Sequence, residues 1–175
     1  MKYLICSDIH GSIDSANFIA NEFKKCSCDY IICLGDVLYH GPRNDLPEAY
    51  KPKEVITALN ELKDKIICVK GNCEAEVDQM VLDFKINDYL DITINGIKSH
   101  LEHGHHLDQY NGDASIVLYG HTHIPSIEIM DNQVFVNPGS ITIPKNGSAR
   151  SYAIWDERRI TIYSMDKKIV KEYEL

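Results

Sequence analysis

The chain has 175 residues, 44% hydrophobic and 25% charged, with a formal net charge of −8. That length predicts one domain, 1–175, and is too short for an eightfold α/β barrel; the acidic balance argues against an extended nucleic-acid or membrane-binding surface. No apolar run approaches the ~20 residues that cross a bilayer, and Asp8 comes too early for a signal peptide, so a cytoplasmic setting is expected.

Tyr3-Leu4-Ile5-Cys6 reads as a short buried strand that runs into Ser7-Asp8-Ile9-His10-Gly11. Ala16, Ile19, Ala20 and Phe23 then fall on one helical stripe, with Ser12 as its N-cap. By itself, Asp8-x-His10 is a weak signal, since a loop acid capping a helix beside a solvated histidine is the favoured explanation of such a pair taken alone. The next apolar run, Tyr30-Ile31-Ile32-Cys33-Leu34, ends in Gly35-Asp36. This predicts a strand buried on both faces, with the backbone turning at Gly35 beneath an exposed carboxylate. In open α/β sheets ligands collect outside the carboxyl ends of strands, so Asp36 is placed in a cleft. A loop without regular periodicity continues to Pro52 and is expected to wall that cleft. Its Arg43 offers a clamp for a phosphate oxygen, and His40 is a second candidate for substrate contact.

Pro52 opens a helix with Val55, Ile56, Leu59 and Leu62 on its buried stripe. Ile66-Ile67-Cys68-Val69 is a third buried strand, followed by Lys70-Gly71-Asn72-Cys73-Glu74, where an amide oxygen follows a glycine as the carboxylate does at Asp36. The acidic stretch from Ala75 to Phe84 reads as a helix. Beyond it the pattern changes to strand pairs: Asp91–Ile94 and Ile97–Leu101 flank Asn95-Gly96, a strong hairpin signal. That hairpin delivers Glu102-His103-Gly104-His105-His106, and the strand Ile116–Tyr119 delivers Gly120-His121-Thr122-His123. If the backbone stays extended, His121 and His123 share one face. Asp131-Asn132 reads as a turn, Asn137-Pro138-Gly139-Ser140 as a loop, and Ser151–Trp155 and Arg159–Ser164 as further strands. Cys6, Cys33 and Cys68 lie inside apolar runs and behave as small hydrophobes, while Cys26 and Cys28 lack the second pair that a zinc ribbon needs, so all six cysteines are expected to be free.

The ordered set Asp8-x-His10, Gly35-Asp36, Gly71-Asn72, His103-Gly104-His105 and Gly120-His121-Thr122-His123 resembles the calcineurin-like metallophosphoesterase superfamily. Gly35-Asp36-Val37-Leu38 with His40-Gly41-Pro42-Arg43-Asn44, Gly71-Asn72-Cys73 and Asn137-Pro138-Gly139-Ser140 are similar to its small bacterial phosphodiesterases of the YfcE type. The resemblance spans nearly the whole chain and implies a four-layer α/β/β/α sandwich. It implies metal ligation by Asp8, His10 and His123 on one ion, by Asn72, His103 and His121 on a second, and by Asp36 between them, with Asp36 and Cys73 as catalytic candidates. Asn72, Arg43, His40 and His105 are candidates for contacting a small phosphate-ester substrate. Nitrogen and oxygen ligands without thiolate suit two divalent ions, Mn²⁺ first, with Fe²⁺ and Zn²⁺ as alternatives.

Cys73 departs from the wider superfamily, where a histidine at this position is thought to protonate the leaving group; a thiol is a weak donor there. A phosphodiesterase is therefore the leading expectation. A phosphomonoesterase or nucleotide hydrolase at the same site and a non-catalytic scaffold of this fold are the alternatives, and self-association is left open.

Overall fold

A computed structural model describes residues 1–175. Twelve strands form two sheets. In the first, β1 (Lys2–Cys6), β2 (Tyr30–Cys33), β3 (Ile66–Val69) and β4 (Ile86–Asn87) run parallel, and β10 (Ser151–Asp156), β11 (Arg159–Ser164) and β12 (Ile169–Glu174) extend it antiparallel, giving the order β12-β11-β10-β1-β2-β3-β4. In the second, β5 (Leu90–Ile94), β6 (Ile97–Leu101), β7 (Ile116–Leu118), β8 (Ser126–Met130) and β9 (Gln133–Asn137) take the order β5-β6-β7-β9-β8. Asn95 and Gly96, both at positive φ, close the β5–β6 hairpin as their side chains allow.

The sheets pack face to face through Ile5, Ile32, Leu34 and Val69 on one side and Leu101, Ile116, Leu118 and Val136 on the other, with Trp155 fully buried among them. The other face of the first sheet is covered by α1 (Ile13–Lys25) and α2 (Pro52–Asn60) through Ala16, Ile19, Phe23, Val55 and Leu59. Burying each of these larger side chains is worth about 1.5–3 kcal/mol, so the two cores lock the central strands between two apolar layers. Ser12 caps α1, its Oγ accepting from Ser15 N, and Pro52 begins α2. Cys6, Cys33 and Cys68 sit on one rung across β1, β2 and β3, buried, and all six cysteines are free. Over the far face of the second sheet the fourth layer thins to a 3-10 turn at Leu107–Gln109, with Leu107 and Tyr110 packed on Val117, Tyr119 and Phe135. No helix is long and apolar enough to cross a membrane.

Three expectations change. The stretch from Ala75 to Phe84 is not one helix: only α3 (Asp78–Val81) forms, because Glu74 is drawn inward to accept from loop backbone and Asp78 folds back to accept from Ala75 N. Leu62 lies beyond the end of α2, in the approach to a 3-10 turn at Lys63–Lys65. Strands β4 and β12 are additional: β4 is two residues long, and β12 is an edge strand whose side chains are almost all exposed, so neither carries a hydrophobic period.

Candidate metal centre

The expected ligands leave the carboxyl ends of β1, β2, β3, β6 and β7, so both sheets contribute to one rim. The loops are stitched together by backbone. Asp8 N donates to Gly35 O (3.1 Å), His10 N to Asp36 O (2.9 Å) and Gly120 N to His103 O (2.7 Å). Gly71 is required for contact rather than for conformation: a Cβ there would collide with Asp36 Oδ1 and stand 2.5 Å from Asp36 N. At Gly35 φ is +91°, and a Cβ would meet Gly71 N at 2.5 Å and His103 Nδ1 at 3.0 Å. These glycines let two ligand loops touch.

Asp8 and Asp36 are buried, so Asp36 is not the exposed acid the sequence suggested; it faces the cleft from beneath. His10, His103 and His123 are buried as well. Each holds a backbone carbonyl through Nδ1: Tyr39 O at 2.7 Å, Leu34 O at 2.6 Å and Ile143 O at 2.5 Å. Those bonds fix the tautomer and aim every Nε2 at the carboxylates, the usual outer support of a metal-binding imidazole. His123 Nε2 lies 3.3 Å from Asp8 Oδ1, His103 Nε2 3.4 Å from Asp36 Oδ2, and His10 Nε2 3.7 Å from an oxygen of each aspartate.

Three groups of donors, Asp8-His10-His123, His10-Asp36-Cys73 and Asp8-Asp36-His103, each have their ligand atoms within 4.8 Å of one another. Asn72 Oδ1 lies 3.1 Å from His103 Nε2. His121 donates its backbone N–H to Asp8 Oδ2 (3.2 Å), and its ring centroid is 5.1 Å from that of His103. The backbone at His121 and His123 is not extended but left-handed, with φ of 66° and 61°; the two side chains reach one site through this turn rather than through strand alternation.

The donor set fits divalent cations. Asp8 Oδ1 is buried with no hydrogen-bond partner, and His10 Nε2 and His123 Nε2 face each other across 3.4 Å. With both Nδ1 atoms committed to carbonyls, that pair needs a proton or a cation between it. The titration pattern agrees. Burial would raise Asp8, yet the neighbouring His10, His123 and His103 rings hold it far below the usual carboxylate range; Asp36 is likewise lowered, against burial, by His103. Burial would lower His103, but Asp36 and Asp8 carry it up to about 9, so without a metal a proton occupies this ring near neutrality.

Glu74 and Lys145 were missed in the sequence. Glu74 is buried, its Oε2 accepting from Asp36 N (2.9 Å) and Gly71 N and its Oε1 from Val37 N (2.6 Å), so one side chain ties the Asp36 loop to the Asn72 loop. Burial and the charge of Asp36 push its carboxyl up to about 7. A signal was present, an acid two residues after Asn72 in a loop rich in N–H donors. Lys145 lines the metal cleft together with Arg43, Asn44, Asn72 and Cys73, and nothing local in the sequence marks it.

Cys73 is half-buried, and burial, then the charge of Asp36, pushes its thiol up to about 12. His40 is not among the residues lining the cleft; its ring packs edge-on against Tyr39 and Tyr50. His105 lines a neighbouring cavity with His103 instead of the cleft itself. The Asn137–Ser140 loop supports the rim: Asn137 Nδ2 donates to Gly120 O (2.7 Å) and Ser140 Oγ to Asp8 O (3.0 Å).

Residues 1–159 match the calcineurin-like phosphoesterase superfamily domain. The chain is 38% identical to Phosphodiesterase YfcE of Escherichia coli (strain K12), covering 98% of this chain and 97% of that one. It is 30% identical to the probable metallophosphoesterase YsnB of Bacillus subtilis (strain 168), covering 88% and 83%. The solved structure of the E. coli phosphoesterase YfcE superposes with a TM-score of 0.95 at 37% identity over 99% of both chains. Vps29 of Entamoeba histolytica, solved in complex with Zn²⁺, superposes with a TM-score of 0.62 at 20% identity, a likeness of fold alone.

Proposed function

The chain belongs to the calcineurin-like phosphoesterase superfamily and is a metal-dependent phosphoric ester hydrolase, and we propose that within this class it hydrolyses phosphodiesters at a centre of two divalent cations. Asp8, His10 and His123 would hold one cation and Asn72, His103 and His121 the other, with Asp36 available to both. The observation that carries this reading is the convergence of three imidazole Nε2 atoms on two buried carboxylates, with Asp8 Oδ1 left unpartnered. Manganese suits these hard and borderline donors, with iron or zinc as alternatives. When bound, the pair supplies Lewis-acid charge and a hydroxide of lowered pKa as nucleophile.

The protein's own groups do the rest. Glu74 fixes the bridging carboxylate by holding Asp36 N and Val37 N. Arg43 and Lys145, both exposed on the cleft wall, orient and neutralise the non-bridging phosphoryl oxygens. Asn72 reaches substrate and cation from the same loop. With its pKa near 12, Cys73 stays a neutral thiol and supports only leaving groups that need little protonation, which favours activated diesters over alkyl monoesters. The two loop cations are the one feature favouring the monoesterase alternative, since a monoester brings an additional charge. A scaffold has no need of this donor set.

The test is a crystal of the manganese-loaded protein with anomalous data, paired with kinetics on matched aryl diesters and alkyl monoesters. Two peaks flanking Asp36 and a higher kcat/KM on the diester are expected. A single peak ends the two-ion reading, and preference for the alkyl monoester ends the diester reading.

A further inference from the structure

The cleft above the proposed metals is small, about 40 Å³, room for a few water-sized groups such as the oxygens of one phosphoryl group. An ester arm must therefore leave it. A second cavity of about 370 Å³ adjoins the cleft: Gly71 in its wall is next to Asn72 in the cleft wall, and the ring of its His105 lies 6.0 Å from that of His121 in the cleft. Tyr89, Glu102 and His106 line both this cavity and a further one of about 540 Å³, so the two form one groove leading away from the metals. That space far exceeds what a methyl or ethyl arm would use.

The walls define the chemistry of the arm. Tyr89 is 60% exposed, which leaves a ring face free to stack. Nearby, the His105 and His106 rings lie 4.1 Å apart. Glu102 holds His100 Nε2 through Oε2 (3.3 Å), but its Oε1 is buried with no partner, and Asp88 adds a second carboxylate. Tyr89 is the only hydrophobic residue of the inner cavity, so an alkyl chain gains little there. Glu102 and Asp88 outnumber the one lysine of the inner wall, Lys70, and Lys98 further out is paired with Asp113, so a second anionic group gains little, which disfavours a polynucleotide. A flat ring that also carries O–H or N–H donors gains twice, by stacking on Tyr89 and by donating to Glu102 and Asp88.

We propose that this groove is the subsite for one ester arm, and that the arm is an uncharged nucleoside. This rests on the diesterase reading above and adds the identity of one substituent to it.

The test compares two diesters with a common leaving group, thymidine 5′-(4-nitrophenyl phosphate) and methyl 4-nitrophenyl phosphate, on the manganese-loaded protein. In both, hydroxide oxygen bonds to phosphorus, the phosphorus–oxygen bond to the aryl group breaks, and 4-nitrophenolate leaves with the electron pair. The thymidine ester should be favoured in kcat/KM by about 5- to 100-fold, the range that base–aromatic stacking gives, chiefly through KM. Tyr89→Ala should bring the ratio of the two esters to within about twofold of unity, while Tyr89→Phe, which keeps the ring, should retain most of it. A wild-type ratio near one, or a ratio that survives Tyr89→Ala, overturns the subsite. Failure to hydrolyse either ester overturns the diesterase reading instead, so the two failures are told apart.

Discussion

Asn95-Gly96 and Asp131-Asn132, at the β5–β6 and β8–β9 turns, have φ between 50° and 82°; Asp8, His10, Asp36, His121 and His123, at the metal rim, have φ between 47° and 66°. The same left-handed backbone serves different ends. At the turns it is borne by Asn, Asp and Gly, for which it costs little, and it matches the twist of a hairpin. At the rim it falls on two aspartates, which bear it as cheaply as at the turns, and on three histidines, each at a cost of about 1–2 kcal/mol. That cost is met because the rim leaves no alternative: His10 N is bonded to Asp36 O, Asp36 N to Glu74 and His121 N to Asp8. Turn conformation at the tips is a local property of two residues, whereas at the rim it is a joint property of five loops.

The sharpest way to break this comparison is Asp36→Asn, which keeps the size and the tolerance for positive φ and removes only the charge. Turnover with manganese should fall at least ~10²-fold, and the metal-free thermal midpoint should drop, because the buried His103 loses the charge it is paired with. Wild-type kcat in this variant, with contaminating phosphatase excluded, would show that Asp36 serves the backbone and not the chemistry.

Glu74→Gln tests the joint property directly, since the amide cannot accept from all three N–H groups that the carboxylate holds. Stability should drop by about 1–3 kcal/mol in urea and activity by roughly 10- to 100-fold, without any change of metal ligand. If activity falls and stability does not, the loop is not held in the way described.

Cys73→His replaces a thiol with a pKa near 12 by a group that donates at neutral pH. The kcat/KM for alkyl esters should rise relative to aryl diesters, on the order of tenfold in the ratio. Equal change in both substrates would remove Cys73 from leaving-group control.

A smaller effect follows from protons. His103 is raised to about 9 in the metal-free rim, so its contribution to stability is complete below its unfolded value near 6.5 and is lost as pH rises through about 9. The chelated protein should therefore lose a few degrees of thermal midpoint between pH 7 and 9.5. Manganese, which replaces that proton, should protect more strongly as pH rises. Asp8 and Asp36 titrate below this window, Glu74, raised to about 7, finishes ionising at its lower edge, and the raised thiol of Cys73 adds to the decline at its upper edge. A midpoint that does not decline over this range in chelator would mean that His103 carries no such proton.

Much of the rim was legible because β1, β2, β3 and β7 are short apolar runs that lead into polar residues, as at Leu34-Gly35-Asp36 and Val69-Lys70-Gly71-Asn72, while β6, which carries Lys98, Ser99 and His100, was marked by the Asn95-Gly96 hairpin. The two-layer core followed from the same runs. What escaped depends on partners distant in sequence. Glu74 looks like any loop acid until Asp36 N and Val37 N are found beside it, and the short α3 replaces a longer helix for the same reason. Lys145 meets the cleft only because the loop after Ser140 folds back beside His123. The left-handed turn at His121-Thr122-His123 has no propensity signal, since the histidines there obey the site and not their own preference.

The smallest expected effect belongs to the tips and completes the comparison. Asn132 is exposed, and no side-chain hydrogen bond holds it. In Asn132→Gly the new residue enters positive φ more easily but loses more chain entropy on folding, two terms of about 0.5–1 kcal/mol that oppose each other. Stability should thus stay within about 0.5 kcal/mol of wild type, and activity should be unchanged. The same replacement at His10, where φ is 47°, relieves the same strain but removes a proposed ligand and its bond to Tyr39 O, so activity should collapse while the backbone is eased. Urea melts and manganese-dependent turnover of the two variants, measured side by side, separate backbone relief from loss of function. If Asn132→Gly costs as much activity as His10→Gly, left-handed residues at the tips and at the rim are not different in kind.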